Sequence, residues 1–166
     1  MPPLLAAMIS LGVLGAIDTY MTATIFPVPV WVTFIAWASF FACGGGQAGL
    51  IKSIVSNWTG IAIASVALLT IQFGPAHPLF AAILVPLGTA AMILVSAKQI
   101  LNFPPAIVFG FASLVGTSAA TDTTITTSGL THPTLVAMAA MLFGGLFGFI
   151  SELGTSLLAG AKPKTI

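Results

Sequence analysis

Long apolar runs separated by brief punctuation make up almost the whole chain. The first run extends from about Leu4 to Ile25 and closes at Phe26-Pro27-Val28-Pro29, because proline is poorly tolerated inside a helix but suits its first turn. A shorter run, Val30 to about Cys43, is aromatic, with Trp31, Phe34, Trp37, Phe40 and Phe41, and stops at Gly44-Gly45-Gly46. The third runs from about Leu50 to Phe73 and ends before Gly74-Pro75-Ala76-His77-Pro78. The fourth covers about Leu79 to Ile100 and holds Pro86 and Gly88, where a kink is expected. Asn102-Phe103-Pro104-Pro105 opens a fifth, again short, which fades by Gly116 into a Thr/Ser-rich segment reaching Thr131. The sixth occupies about Thr134 to Leu158 and is followed by Lys162-Pro163-Lys164. Since the runs are continuously apolar rather than alternating, they predict helices and not the strands of a barrel.

Composition decides what those helices are dissolved in. The chain is 58% hydrophobic and 4% charged, with a mean hydropathy of +1.14, whereas soluble domains carry roughly 25% charged residues. A bilayer core about 30 Å thick needs about 20 apolar residues per helix, so 166 residues allow about six or seven spans and no separate soluble domain. The expected fold is all-α: one polytopic membrane domain, residues 1–166, with six transmembrane helices. Only Met1-Pro2-Pro3 precedes the first run, and a secretory signal needs a basic segment there, so a retained helix is expected. Cys43 is the only cysteine, which excludes an intrachain disulfide and a cysteine-based metal site and leaves it as a small packing residue. Four lysines without arginine offer no basic surface to nucleic acid.

The lysines also predict an orientation, because short loops rich in Lys and Arg stay cytoplasmic. With six spans, Lys52, Lys98, Lys162 and Lys164 all fall on the side shared by both termini. Both termini are therefore expected inside a bacterial inner membrane, with His77, Asp122 and His132 outside.

The two short runs share their punctuation. Pro27 and Pro29 open one, which ends at Phe41-Ala42 and its glycines; Pro104-Pro105 opens the other, which carries Phe111-Ala112 and ends at Gly116. Each is the middle helix of a three-helix half, 1–78 or 79–166, and an odd number of crossings gives the halves opposite orientation. Inverted repeats with short, Gly- and Pro-interrupted helices in matching places point to a transport pathway. At these residues the chain also resembles the bacterial inner-membrane family catalogued as domain of unknown function 1097: Phe41-Ala42-Cys43-Gly44-Gly45-Gly46 with Gly49-Leu50, Ala97-Lys98-Gln99, and Phe109-Gly110-Phe111-Ala112. The resemblance covers most of the chain and implies fold and location but no functional residues. The Thr/Ser segment between Thr117 and Thr131 departs from that pattern.

Few side chains carry chemistry. In the third run Ser53, Ser56, Asn57, Gly60, Ala64 and Ala67 recur at helical spacing and make one small, polar face, with Ile54, Trp58, Ile61 and Val66 elsewhere. Small residues let membrane helices approach, and hydroxyls or amides then bond across the contact, so this face is expected to pack on a neighbouring helix; the alternative is a pathway with Asn57 as its amide. Asp18 lies in the first run on a face with Gly15 and Thr22. A carboxyl at a helix centre costs about 2.5–3.5 kcal/mol on insertion scales, so it faces protein or water, or lies near enough to the outer end to be solvated. Ala140, Gly144 and Gly148 form a packing stripe, and Glu152 on the same stripe is expected to pair with Lys98 or Lys52 or to sit as an interfacial charge. His77, His132 and Asp122 have no metal-ligand spacing, and the 117–131 segment is either an exposed loop or a re-entrant lining. No nucleophilic triad, HExxH, nucleotide loop or carboxylate pair is present, so neither enzyme activity nor a cofactor is expected.

These features lead to two expectations. One is a channel or facilitator for a small, neutral solute, lined by Asn57, Ser53, Ser56, Asp18 and Gly60, since an ion path needs carbonyl or carboxylate rings. Three-helix halves leave little room for a wide pore, so a homo-oligomer is expected. The other is a structural or accessory subunit of a larger membrane complex, touching its partners through Trp31, Trp37 and Phe40.

Overall fold

Proline starts most of the helices, because its missing N–H is no loss in a first turn and its ring pre-sets the helical φ. In the computed structural model, which describes residues 1–160, α1 spans Pro3–Thr24, α2 Val30–Ala42, α3 Gly46–Phe73, α4 Pro78–Val95, α5 Pro104–Thr121 and α6 Pro133–Ala159; a 3₁₀ turn, Gln99–Leu101, precedes α5. No strand occurs among the described residues. Lys162 and Lys164 lie outside them. All helices except α2 are long and apolar enough to cross a membrane, while α2, with 13 residues, is about 20 Å long at 1.5 Å per residue.

Three boundaries differ from the sequence reading. The fourth helix ends at Val95 rather than Ile100, and Pro86 lies inside a continuous helix. The third starts at Gly46, four residues early, since Gly44, Gly45 and Gly46 all take positive φ (105°, 70° and 63°) and complete the turn by themselves. α5 does not fade at Gly116 but continues through the hydroxyl residues to Thr121, ending at Asp122 in the left-handed region. Thr121 returns its hydroxyl to the Thr117 carbonyl (2.8 Å), and Ser118 donates to the Thr123 carbonyl. Hydroxyls satisfied on their own backbone do not break a helix.

The chain forms two compact units, and these are not the two sequence halves. Unit 1 is Met1–Ile54 with Ala140–Ile166, and unit 2 is Val55–Ala139, so each takes one end of α3 and one end of α6. In unit 1, α6 runs antiparallel to α1: Ser10 donates to the Ser151 carbonyl at 2.9 Å and the Met1 ammonium to the Leu158 carbonyl at 3.2 Å. It runs parallel to α2, with Phe26 on Phe143 at one end and the Gly46 N–H on Glu152 at the other. The chain start, the α2–α3 turn and the end of α6 therefore share one end of unit 1.

Unit 2 repeats this logic. α3 runs parallel to α5, meeting it at Gly60 with Ile107 and Phe111 and at their C-terminal ends around Gln72 and Thr124. It runs antiparallel to α6, since Trp58 donates to the Met138 carbonyl (3.2 Å) and Ser65 meets Thr134 (3.0 Å). Met92 of α4 and Ile107 of α5 are buried with Leu101 in one cluster. Gln72 donates to Thr126 at 2.8 Å, so the α3–α4 turn and the α5–α6 loop share one end of unit 2.

Candidate functional site

Glycine sets how closely the helices cross. A Cβ on Gly144 would lie 2.0 Å from the Thr33 carbonyl oxygen, and one on Gly60 would lie 1.8 Å from that of Ile107. Thr33 and Ile107 are each the fourth residue of their helix. Gly110 meets the Asn57 carbonyl equally closely, and Gly148 packs on the Phe40 and Trp37 rings. Gly60, a pathway candidate from the sequence, is thus a contact point of α3 on α5, and Gly144 and Gly148 lie close against α2.

Around these crossings the polar side chains are buried. The face of α3 read from the sequence is inside throughout: Ser53, Ser56, Asn57, Gly60, Ala64 and Ala67 are all buried. Ile61, placed off that face by the reading, is fully buried too. The candidates divide between the units. Ser53 belongs to unit 1 and donates to Ser39 at 2.9 Å, whereas Ser56, Asn57 and Gly60 belong to unit 2. Ser56, Ser113 and Thr117 are fully buried there, and their hydroxyls have no hydrogen-bond partner among the described residues.

Asp18 has no accessible surface, which removes the solvated reading. Thr33, on the first turn of α2, donates to Asp18 Oδ2 at 2.5 Å, and Asp18 Oδ1 has no partner among the described residues. Toward the other end of unit 1, Trp37 Nε1 donates to Ser151 Oγ at 2.9 Å, and Ser151 Oγ donates on to the Gly148 carbonyl at 2.7 Å. An accessory contact face of Trp37 and Phe40 is therefore corrected: the two are 4% and 0% exposed, because the indole follows its donor inward to Ser151 and Gly148 opens space for both rings. Trp31, at 36%, remains at the surface.

Glu152 takes part in the α2–α3 turn. Its Oε2 accepts the Gly46 N–H at 2.6 Å, which places a carboxylate on the first turn of α3. Free N–H groups and the helix dipole both favour an anion at that point. Glu152→Ala should lower stability by about 1–2 kcal/mol, as loss of a good N-cap does, and Glu152→Gln by less; unfolding midpoints in mixed micelles measure both. His77 and His132 serve a related local purpose, each accepting the N–H two residues on, from Leu79 and Thr134, through Nδ1 at 3.2 Å. No group of three metal-ligating side chains occurs among the described residues. Sequence reasoning missed the partners Thr33, Ser113 and Ser151, and for Thr33 the signal was its place on the first turn after Pro29, within reach of a carboxyl on the preceding helix.

A chain that is all-helical among its described residues, with five helices long and apolar enough to cross a membrane and with Asp18, Ser53, Ser56 and Asn57 buried inside, is a multi-pass membrane protein. Within that class the chain belongs to the family described as "Protein of unknown function (DUF1097)", whose model matches residues 8–156. It is similar to "Uncharacterized protein YahC" of Escherichia coli (strain K12), 28% identical over 138 residues that cover 80% of this chain and 76% of that protein. No solved structure matches.

Proposed function

We infer that the protein is a channel or facilitator of the bacterial inner membrane for a small, neutral solute, built of six spans in two inverted three-helix halves. The observation that carries this reading is the set of hydroxyls at Ser56, Ser113 and Thr117, buried on the neighbouring helices α3 and α5 without a protein partner among the described residues. A buried polar group left unpaired costs about 1–3 kcal/mol. Such groups are retained where water or a polar solute completes their bonding. The scarcity of charge inside the spans favours a neutral solute over an ion, and a homo-oligomer suits the small number of helices.

The inverted halves draw support from a matched spacing. Asp18 on α1 meets Thr33 on α2, and Met92 on α4 clusters with Ile107 on α5, 15 residues apart in each case. The units match in composition as well: α1 and α2 with the start of α3 and end of α6 in one, α4 and α5 with the start of α6 and end of α3 in the other. Lysine placement supports an orientation with both termini cytoplasmic.

The test is solute flux in proteoliposomes, using urea, glycerol and erythritol as probes. Asn57 is fully buried, and its backbone packs on Gly110. Asn57→Leu should cut flux at least about tenfold, equivalent to about 1.4 kcal/mol, while the protein stays folded. Wild-type protein that passes none of the probes and co-purifies with a stoichiometric partner would replace this reading by that of an accessory subunit.

A further inference from the structure

At one matched pair of positions the inverted halves differ in their chemistry. Where unit 2 joins its first two helices with Met92 and Ile107, unit 1 uses a carboxyl and a hydroxyl, Asp18 and Thr33. The apolar pair shows that the helix contact itself needs no polar group. A carboxyl fully buried in a span is costly, and half of this one, Oδ1, has no partner among the described residues.

Among the described residues no cationic side chain is hydrogen-bonded to Asp18. α2, packed on it, has no ionisable side chain. The α6 part of unit 1 offers Glu152, engaged by the Gly46 N–H at the far end of α2, and the α3 part offers Lys52 within two turns of Gly46. On α1 itself Tyr20 is 67% exposed, and the Met1 ammonium bonds to Leu158. Cys43 follows the end of α2.

Thr33 is arranged to serve two forms of the carboxyl. Its Oγ1 lies 2.5 Å from Asp18 Oδ2 and 2.7 Å from the Val30 carbonyl oxygen, but a hydroxyl has a single proton to give. Against a carboxylate, the hydroxyl donates to Oδ2. Against the neutral acid, it accepts a hydrogen bond from the acid's O–H and turns its own proton toward the Val30 carbonyl. Rotation about one Cβ–Oγ bond satisfies either form without moving a helix.

The geometry points to Asp18 as a proton-binding site, with Thr33 as its positioning residue, that ties passage of the solute to passage of a proton. This rests on the facilitator reading given above and selects, within it, a coupled facilitator over an open pore. A proton taken from water on one side converts the carboxylate to the neutral acid and is released to water on the other; no bond to the solute forms or breaks. The neutral solute supplies N–H or O–H groups that meet Oδ1, the acceptor left open.

Two readouts on the reconstituted protein test this separately. The first is infrared difference spectroscopy across a pH titration, which follows the carboxylic C=O stretch without any solute. Wild type should show a titrating band that Asp18→Asn lacks, Asp18→Glu restores at a changed frequency, and Thr33→Val displaces in midpoint. The second is uptake of urea or glycerol driven by a pH gradient. One pH unit, a tenfold ratio of proton activity worth about 1.4 kcal/mol, should support about tenfold accumulation in wild type and none in Asp18→Asn. Absence of the band overturns the proton site whatever the flux. A band with gradient-independent flux, equal in wild type and Asp18→Asn, overturns the coupling and leaves the facilitator reading standing. A band with no flux of any probe keeps the proton site and removes the facilitator reading and the coupling built on it. Should Asp18→Asn not fold, Asp18→Glu and Thr33→Val decide the first readout.

Discussion

Gly60→Ala and Gly144→Ala are each expected to destabilise the protein by about 3 kcal/mol or more, the upper end of overpacking costs. The new methyl carbon would stand 1.8 Å from the Ile107 carbonyl oxygen in one variant and 2.0 Å from that of Thr33 in the other. Both obstacles are backbone, so no side-chain rotation relieves them. Whole helices must separate, which also breaks the polar contacts at the crossings. Gly12→Ala is the control. Nothing lies within 4 Å of its Cβ position, and it sits inside α1, so the added methyl should be neutral or stabilise by up to about 1 kcal/mol, the helix penalty of glycine against alanine. Unfolding in mixed detergent micelles, followed by circular dichroism, measures all three. A mild Gly60→Ala would return that residue to the lining of a pathway.

Phe40→Ala should cost about 3–5 kcal/mol, as expected for removing a fully buried aromatic ring. Phe40 is wholly enclosed and touches Gly148, Phe41 and Phe149. Its neighbour Phe41 is 41% exposed, and Phe41→Ala should fall within about 1 kcal/mol of wild type. The pair separates an inward face of α2 from an outward one by a single substitution on each, and equal losses would contradict the burial of Phe40.

Much of this arrangement is legible in the chain because membrane helices are long and their ends are chemically marked. Proline at 3, 78, 104 and 133 opens α1, α4, α5 and α6, and the triple glycine sets the turn before α3. Even the buried face of α3 follows from its spacing of small and polar residues. The hydroxyl-rich end of α5 was misplaced because polarity alone does not distinguish a loop from a helix whose hydroxyls bond back to their own carbonyls. Nor was the inward face of α2 readable: the helix is apolar nearly all round, so periodicity cannot choose a side, and Trp37 and Phe40 look as suited to an outer contact as Trp31. Glu152 and Gly46 are 106 residues apart, and no local pattern announces that one will cap the other. For Asp18, the cost of burial indicated that a partner was needed, but identifying Thr33 required the antiparallel register of α1 and α2.

The functional reading depends above all on α2, the shortest helix, crossing the membrane and so making six spans from two inverted halves. Site-directed labelling tests that most directly. On a Cys43→Ser background, Lys52→Cys and Lys98→Cys should resist a membrane-impermeant maleimide added to spheroplasts and react only after permeabilisation, while Pro27→Cys, in the α1–α2 turn, His77→Cys and Asp122→Cys react at once. The same labelling behaviour at positions 27 and 52, which flank α2, would mean that α2 does not cross, and would contradict the account.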